Sequence, residues 1–332
     1  LNRRAEKLYE AAQQQVNAGR NTEAISTLDK LLKKAPTFME GWLMQADLHL
    51  RQRSFGKAEA GFETAIQLDS AYAPLAYYLL AQAEFEQQKY EQAQQHLEAY
   101  FATGKVPQKW ITEARQLLRS ADFAADAIKQ PVPFDPKPLS PAVNTQRPEY
   151  LPSMTANGEF LVYTTRVTPR NEDIYISEWQ DTVWGPGEPL SAFNTPYNDS
   201  SPSLSADGRA LAFARNDRTG NFDLYYARQE KGSWTEPERL PAPVNTAGFE
   251  SQPALSADGN LLLFVSDREG GYGRLDLWAT RRRADGSWRQ PQNLGDMINT
   301  PLNEQAPFFH GDGQTLYFMS KGHPGMGQYD LF

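Results

Sequence analysis

The stretches that decide the fold are NTQRPEYLPSMTANG (144–158), NTPYNDSSPSLSADG (194–208), NTAGFESQPALSADG (245–259) and NTPLNEQAPFFHGDG (299–313). They align without a gap and recur every 50 to 54 residues. Each carries an acidic residue five positions after its asparagine, a proline at eight and an Asn-Gly or Asp-Gly pair at its end. Such pairs supply the positive φ that a tight turn needs, so each stretch predicts a strand followed by a turn.

The residues after each turn extend the pattern to a four-stranded unit. An alternating run reaches a large aromatic residue five positions after the turn glycine, at Tyr163, Phe213, Phe264 and Phe318. A third strand is predicted to open at Asp173, Asp223, Asp276 and Asp330. Three units then close with a tryptophan and a proline, the tryptophans being Trp184, Trp234 and Trp288. Four short antiparallel strands per repeat predict a propeller blade, because each blade buries its faces against its neighbours.

The repeat resembles the WD-repeat-like propellers of the periplasmic translocation protein TolB and related envelope proteins, in which P-x-x-S-x-D-G-x-x-x-x-F recurs. The second and third copies match this core over 202–213 and 253–264, whereas the first has Thr155 and the fourth His310 in the serine column. The resemblance covers residues 131–332 and implies an all-β propeller.

The number of blades follows from the ends of this region. The segment KQPVPFDPKPLSPAVN, from Lys129, contains five prolines, and Pro136 lies eight residues before Asn144, as in the closing strands of the other units. We therefore expect an N-terminal closing strand near 131–143 that completes the blade of a later repeat. Four blades' worth of strands are present, so a closed four-bladed ring is arithmetically possible. The resemblance favours a larger, about six-bladed propeller of which these blades are part.

Residues 1–129 have a different composition, which is rich in Ala, Gln, Glu and Leu and includes only three prolines. This composition predicts helices. They repeat every 34 to 35 residues, and the aligned columns are Leu8/Trp42/Tyr77, Ala12/Ala46/Ala81, Ala24/Ala58/Ala93 and Leu28/Phe62/Leu97. The columns resemble the tetratricopeptide repeat over about residues 5–105, and a further helix from Pro107 would cap the stack. The sequence thus predicts two domains: 1–129, an all-α tetratricopeptide-like solenoid with a capping helix, and 130–332, an all-β propeller.

A stack of this kind has a concave wall built from the first helix of each pair. The columns place on that wall Tyr9, Gln13 and Val16 from unit one, Leu43, Asp47 and Leu50 from unit two, and Tyr78, Gln82 and Phe85 from unit three. The row is rather apolar for a wetted groove. It either binds a partner's peptide or helix, or is covered by another part of this chain.

Composition argues against several function classes. A formal charge of −8 disfavours a nucleic-acid surface, and the absence of cysteine removes disulfides and thiolate chemistry. The four histidines lack the spacing of a metal site or a catalytic triad, so we predict no catalytic residues, no metal and no cofactor. The repeated acids Glu149, Asp199, Glu250 and Glu304 either form a cation site at the ring centre or, as their presence in every blade favours, accept hydrogen bonds within their own blades.

Helical repeats followed by such a propeller resemble the multidomain envelope lipoproteins of Bacteroidetes, including the outer-membrane, peptidoglycan-associated component of the type IX (Por) secretion and gliding machinery. The resemblance implies a periplasmic, outer-membrane-anchored scaffold whose partners are other envelope proteins, bound through the helical groove and the propeller face. It further implies peptidoglycan binding through a domain outside these residues, and a lipidated cysteine before Leu1. The sequence contains no run of about 18 apolar residues, so it predicts no transmembrane segment.

Two other function classes stay open. One is a glycan- or cation-binding propeller, which would show a ligand at the ring centre. The other is the propeller and repeat portion of a larger envelope enzyme, which would need a hydrolase segment that these residues do not contain.

Overall fold

The computed structural model describes residues 3–216 and 220–332. The chain changes from a helical unit to a strand unit between Val132 and Pro133. The helices are α1 (Arg3–Asn17), α2 (Asn21–Leu32), α3 (Met39–Arg51), α4 (Phe55–Leu68), α5 (Leu75–Glu86), α6 (Tyr90–Ala102) and α7 (Gln108–Ala127). Consecutive helices pack as the hairpins α1–α2, α3–α4 and α5–α6, and α7 packs on α6. This is the tetratricopeptide-like stack with a capping helix that the sequence predicts.

The small residues of the repeat lie where paired helices approach most closely. Ala12, Ala46 and Ala81 are completely buried. A Cβ added at Gly61 on α4 would lie 2.9 Å from the Cβ of Ala46 on α3, so no larger residue fits at this crossing without a shift. The alanine column is therefore a packing requirement.

The columns of large residues behave in two ways. Leu28, Phe62 and Leu97 are completely buried, as predicted. Trp42 is only half-buried, because its indole lies at the edge of the stack and donates Nε1–H to the carbonyl of Pro36 at 2.8 Å. Trp42 therefore does not fill the core with a fully buried ring, and Phe62 has that role in the second unit.

A buried ion pair links α5 to α6. The carboxylate of Glu84 is 2% exposed and lies 2.8 Å from Nδ1 of His96. The hydrogen bond to Glu84 raises the pKa of His96 against the opposing effect of burial. Protonated His96 thus neutralises a carboxylate that lies out of reach of water.

The strand unit contains seventeen short strands among the described residues. They are β1 (Glu149–Met154), β2 (Phe160–Thr168), β3 (Asn171–Gln180), β4 (Val183–Trp184), β5 (Glu188–Pro189), β6 (Asp199–Leu204), β7 (Ala210–Asn216), β8 (Phe222–Glu230), β9 (Ser233–Trp234), β10 (Glu238–Arg239), β11 (Glu250–Leu255), β12 (Leu261–Ser266), β13 (Asp276–Arg281), β14 (Gln292–Asn293), β15 (Glu304–Phe309), β16 (Leu316–Ser320) and β17 (Asp330–Leu331). They form four antiparallel sheets, which we name blade one (β1–β5), blade two (β6–β10), blade three (β11–β14) and blade four (β15–β17). β6 packs on blade one, β11 on blade two and β15 on blade three, so the four blades form the predicted propeller arrangement.

The proline column has a structural cause in the first strand of every blade. Each of these strands is interrupted by a β-bulge when it pairs with the second strand. The residue before the proline has a positive φ between 49° and 55° at Leu151, Ser201, Gln252 and Ala306. Proline is tolerated at a bulge because no ladder hydrogen bond needs its missing N–H.

The asparagine that opens a repeat belongs structurally to the blade before it. Asn194 accepts a hydrogen bond from the backbone N–H of Ile174 at 2.8 Å and donates to its carbonyl at 2.9 Å. Asn245 and Asn299 do the same for Leu224 and Leu277. Each carboxamide therefore pairs with the third strand of the preceding blade and holds successive repeats in register.

Tryptophans fill the cores between the early blades. Trp234 lies in the core between blades one and two, and Trp288 in the core between blades two and three. Between blades three and four lies an open cavity of about 540 Å³, lined by residues that include Phe309 and Leu316. Phe309 and Leu316 are both half-buried, whereas Leu211, the residue of blade two that is equivalent to Leu316, is completely buried.

The predicted closing strand is absent from this structure. Residues 131–139 form no strand, and Phe134 is 85% exposed. The end of the segment instead docks on blade one, where Ser140 donates a hydrogen bond to the carbonyl of Trp184 and Val143 is buried. Five prolines within a dozen residues leave few N–H donors for a ladder, so the segment needs a partner edge to become a strand.

Phe62→Ala should destabilise the helical unit by about 3 to 5 kcal/mol, because it removes a completely buried ring from the core of the second unit. Trp42→Ala should cost less, since that ring is already half in water. Urea denaturation of the full chain, followed by circular dichroism at 222 nm, measures both. Equal losses for the two variants would contradict this assignment of the core.

The His96–Glu84 pair should make the helical unit more stable at low pH. The pKa of His96 is raised in the folded chain, so its contribution is fully present below the unfolded value of about 6.5 and is lost as pH rises through the folded pKa. The difference in Tm between the wild type and His96→Gln should therefore be larger at about pH 5.5 than at about pH 8.5. His49, whose pKa burial lowers, is present in both proteins and cancels from the comparison. A pH-independent difference would argue against the pair.

Candidate functional site

The predicted wall is distributed over the first helix of each hairpin. Its residues are Tyr9, Gln13 and Val16 on α1, Leu43, Asp47 and Leu50 on α3, and Tyr78, Gln82 and Phe85 on α5. Gln13 is exposed, Tyr78 is buried, and the others are half-buried. Positions on α1 and α3 thus expose part of each side chain, whereas the α5 portion of the wall is partly covered.

Tyr78 is the clear exception to the predicted wall. It is 3% exposed, and its ring packs on Tyr100 of α6 and Trp110 of α7, with ring centroids 5.8 and 5.7 Å away. Its hydroxyl accepts a hydrogen bond from Nε2 of Gln82 at 2.8 Å. The expectation that Tyr78 faces a partner is wrong, because the capping helix covers this position. Burial, followed by the charge of Glu113, raises the pKa of Tyr78 to about 12.

The other apolar residues of the wall belong partly to the core. Leu43 and Leu50 pack at the edge of the cluster that contains Phe62. Phe85 meets the ring of Tyr90 edge-on, with centroids 5.1 Å apart. Such side chains offer a partner one face each, as anchors do, while the other face holds the stack.

Two further residues, Glu40 and Tyr72, lie beside the predicted wall. Sequence reasoning missed both. The hydroxyl of Tyr72 donates to Oε1 of Glu40 at 2.5 Å, linking the segment after α4 to the start of α3. Burial and the nearby Glu40 carboxylate both raise the pKa of Tyr9 on α1. Glu40 lies three residues before Leu43, so helical spacing could have found it, whereas nothing periodic marks Tyr72. We call Tyr9, Glu40, Leu43, Asp47, Leu50 and Tyr72 the wall patch.

The wall patch combines aromatic and aliphatic surface with negative charge. Asp47 is paired with Arg51, Oδ2 to Nη2 2.6 Å, one turn along the same helix. Glu40 accepts its hydrogen bond from a neutral phenol, so its negative charge is not compensated by that contact. The patch therefore favours a partner that brings apolar side chains together with a basic group.

The repeated acids of the propeller accept hydrogen bonds inside their own blades. The residue after the opening asparagine donates both its backbone N–H and its hydroxyl to the acid, in the pairs Thr145–Glu149, Thr195–Asp199, Thr246–Glu250 and Thr300–Glu304. Each of these acids therefore accepts hydrogen bonds from a residue of its own repeat, as the second of the two sequence interpretations expects. Over residues 3–216 and 220–332, no cluster of three or more His, Asp or Glu side chains is arranged to hold a metal ion.

The four histidines lie apart and each has a local role or environment. His49 is half-buried on α3, and His96 pairs with Glu84. His310 lies 3.1 Å from Asp312 in an exposed turn, and His323 stacks on aromatic rings of blade four. None of these contacts forms a nucleophile–base pair. Within the described part of the chain, no helix is both long and apolar enough to cross a membrane.

Comparison with known proteins supports the helical assignment directly. Residues 9–73 and 43–108 match the tetratricopeptide repeat family. A comparison with curated proteins finds no match. Tetratricopeptide repeats and propellers typically serve as protein-interaction modules, and this chain joins one of each.

Several solved structures are similar to parts of the chain. TolB from Acinetobacter baumannii is 18% identical with a TM-score of 0.39, and the match covers 56% of this chain and 41% of that one. The first tetratricopeptide domain of Spaghetti (RPAP3), bound to the HSP90 peptide SRMEEVD, is 25% identical with a TM-score of 0.34, covering 37% and 94%. A crystal structure of MamA is 19% identical with a TM-score of 0.33, covering 37% and 68%. The chain thus spans about two fifths of the TolB chain that it matches.

Tyr78→Glu should destabilise the helical unit severely, because it replaces a buried ring by a carboxylate with no cationic partner in the core. Leu43→Glu should be tolerated much better, since Leu43 is half-exposed on the wall patch. Thermal melts of the two single variants, followed by circular dichroism at 222 nm, give the comparison. A Tyr78→Glu protein that melts like the wild type would show that the capping helix does not seal this position.

Proposed function

We propose that this chain is a non-catalytic periplasmic scaffold that links an outer-membrane secretion or gliding complex to other envelope components or to peptidoglycan. Two interaction folds in one chain support a binding role, and the order of helical repeats followed by propeller resembles that of Bacteroidetes envelope lipoproteins. The type IX machinery and the outer-membrane anchor belong to this proposal. Peptidoglycan would be reached through a further domain of the assembly.

The observation that carries the proposal is the wall patch. Tyr9, Leu43 and Leu50 keep part of their apolar surface accessible on the side of α1 and α3 that the second helices leave free. Aromatic and leucine anchors of this kind dominate binding energy at interfaces, and half-burial pre-orders them before the partner arrives. The partner would be a helix or extended segment with apolar residues that fit between these anchors and a Lys or Arg that meets Glu40.

The propeller adds a second surface to the same chain. The repeated acids Asp199, Glu250 and Glu304 are committed to hydrogen bonds within blades two to four, so they hold the scaffold rather than a substrate. Blade faces and turn loops remain for protein contacts, and the chain would bring the two sets of partners together. Nucleic acid is not among them, because the net charge of −8 would repel phosphates.

Site-specific photo-crosslinking in the native host tests the wall patch. A photoreactive amino acid at Leu43 should capture a discrete envelope protein, identified by mass spectrometry, and the full chain should fractionate with the outer membrane. The matched control is the same residue at Glu63, which is exposed on the second helix of the same hairpin. Equal capture from both positions, or capture from neither, would reject the wall patch as the binding surface. Recovery of the mature protein from the cytoplasm would reject the envelope role.

A further inference from the structure

In blade two, an arginine occupies a defined place between aromatic rings, a backbone carbonyl and the repeated acid. The Arg215 guanidinium lies 5.2 Å from the ring centroid of Phe213 and 4.6 Å from that of Tyr225. Its Nη2 donates to the carbonyl of Phe193 at 2.8 Å, and its Nε donates to Oδ1 of Asp199 at 2.5 Å. Cation–π attraction and charge-assisted hydrogen bonds therefore act on one cation, whose side chain is 16% exposed.

Blade three fills the same place from a different position in the sequence. The Arg268 guanidinium lies 4.8 Å from the centroid of Phe264 and 5.3 Å from that of Trp278. It donates to the carbonyl of Val244 and to Oε1 of Glu250 at 3.1 Å. Val244, like Phe193 in the preceding repeat, stands directly before the opening asparagine.

Blade four uses a histidine for the same purpose. The ring of His323 packs on Phe318 and Phe332, with centroids 5.7 and 5.1 Å apart, and its Nε2 lies 3.0 Å from the carbonyl of Ile298. Ile298 again precedes the opening asparagine. Three blades thus pack an arginine or histidine side chain against their aromatic pair, with one of its nitrogens at the same backbone carbonyl.

Blade one has the receiving groups, but its strand supplies another residue at the arginine position. Tyr163 and Tyr175 form the aromatic pair, with centroids 6.1 Å apart and planes inclined by 33°. Val143 precedes the opening asparagine, and Glu149 is the repeated acid. Glu149 pairs across the ladder with Thr165, as Asp199 pairs with Arg215 in blade two.

An open cavity of about 250 Å³ lies at this place in blade one. Glu149, Tyr163, Thr165 and Tyr175 line it. Thr165 is 3% exposed, and its Oγ1 has no hydrogen-bond partner, whereas Ser266 at the equivalent position of blade three donates to the repeated acid. A buried hydroxyl without a partner is costly, so this one is available to a ligand.

The charge in the cavity also favours a cationic ligand. Burial and the negative charge of Glu149 raise the pKa of Tyr163 to about 12. Arg147 also lines the cavity, but it is an exposed residue. The interior thus combines two π faces, a carboxylate and an unpaired hydroxyl, which together suit a planar cation.

We propose that this cavity of blade one is a binding site for a guanidinium cation supplied from outside the blade, such as the side chain of an arginine in a bound polypeptide. The guanidinium would lie over Tyr163 and Tyr175, as Arg215 lies over its rings. It would donate one hydrogen bond to the Glu149 carboxylate and another to Oγ1 of Thr165. The site is independent of the wall patch and does not rest on the proposed scaffold function.

Calorimetric titration of the full chain with small probes tests the site. Agmatine and capped Gly-Arg-Gly both carry the guanidinium, and N-propylurea is a neutral control of similar shape. Both cations should bind, and the urea should bind at least about tenfold more weakly, because it lacks the charge that Glu149 and the rings attract. Tighter binding of the peptide would identify a polypeptide arginine as the source, and tighter binding of agmatine a free guanidinium compound. Absence of binding by both cations, or equal binding of the urea, overturns the proposal.

Substitutions in blade one locate the binding. Thr165→Arg copies blade two, so the new side chain should fill the cavity, abolish agmatine binding and raise Tm. Glu149→Gln should weaken agmatine binding at least about tenfold, since it removes the carboxylate partner. Arg170→Ala, at an exposed residue of blade one that does not line the cavity, is the matched control and should bind agmatine as tightly as the wild type. Unchanged binding in Glu149→Gln, or loss of binding in Arg170→Ala, overturns the proposal even if Thr165→Arg fails to fold.

Discussion

The carboxamide that opens the second, third and fourth repeats makes the interaction on which the strand unit depends. Asn245 and Asn299 are buried, and each accepts from and donates to one residue in the third strand of the preceding blade. The two hydrogen bonds give the side chain the role of a strand residue, so one repeat cannot slide along the next. The threonine and acid that follow each of these asparagines are thereby held in register with the preceding blade.

Equivalent positions in the blades are occupied by different side chains. The carbonyl before the opening asparagine receives Arg215 in blade two, Arg268 in blade three and His323 in blade four. The ring pair beneath it is kept in every blade. A repeated architecture of this kind makes departures informative, because the neighbouring copies show what a complete site contains. Blade one has Thr165 where blade two has Arg215, and the cavity lies there.

The helical unit follows a similar logic with a different constraint. Alanines at the crossings allow helices to approach closely, and the first helices are left with one face that their partners do not cover. The capping helix then decides how much of that face stays accessible, since Trp110 packs over Tyr78 at the end of the stack. The wall patch is consequently confined to α1, α3 and the segment after α4.

The sequence by itself determined the features that repeat. The alanine column, the turn glycines and the bulge prolines each reflect a local backbone or packing requirement that recurs at a fixed spacing, so periodicity reveals it. These columns predict the helical hairpins, the blades and the hydrogen bonds that the repeated acids accept within their own blades.

Only the tertiary structure decided the features that depend on distant or unaligned residues. Tyr78 is buried because α7 covers it, the proline-rich segment at 131–139 forms no strand, and Trp42 lies at an edge. Arg215 and Arg268 reach equivalent places from different positions in their repeats, so no column aligns them. The physical reason is that spacing along the chain fixes which face a residue occupies, whereas burial and contacts depend on which other element packs there.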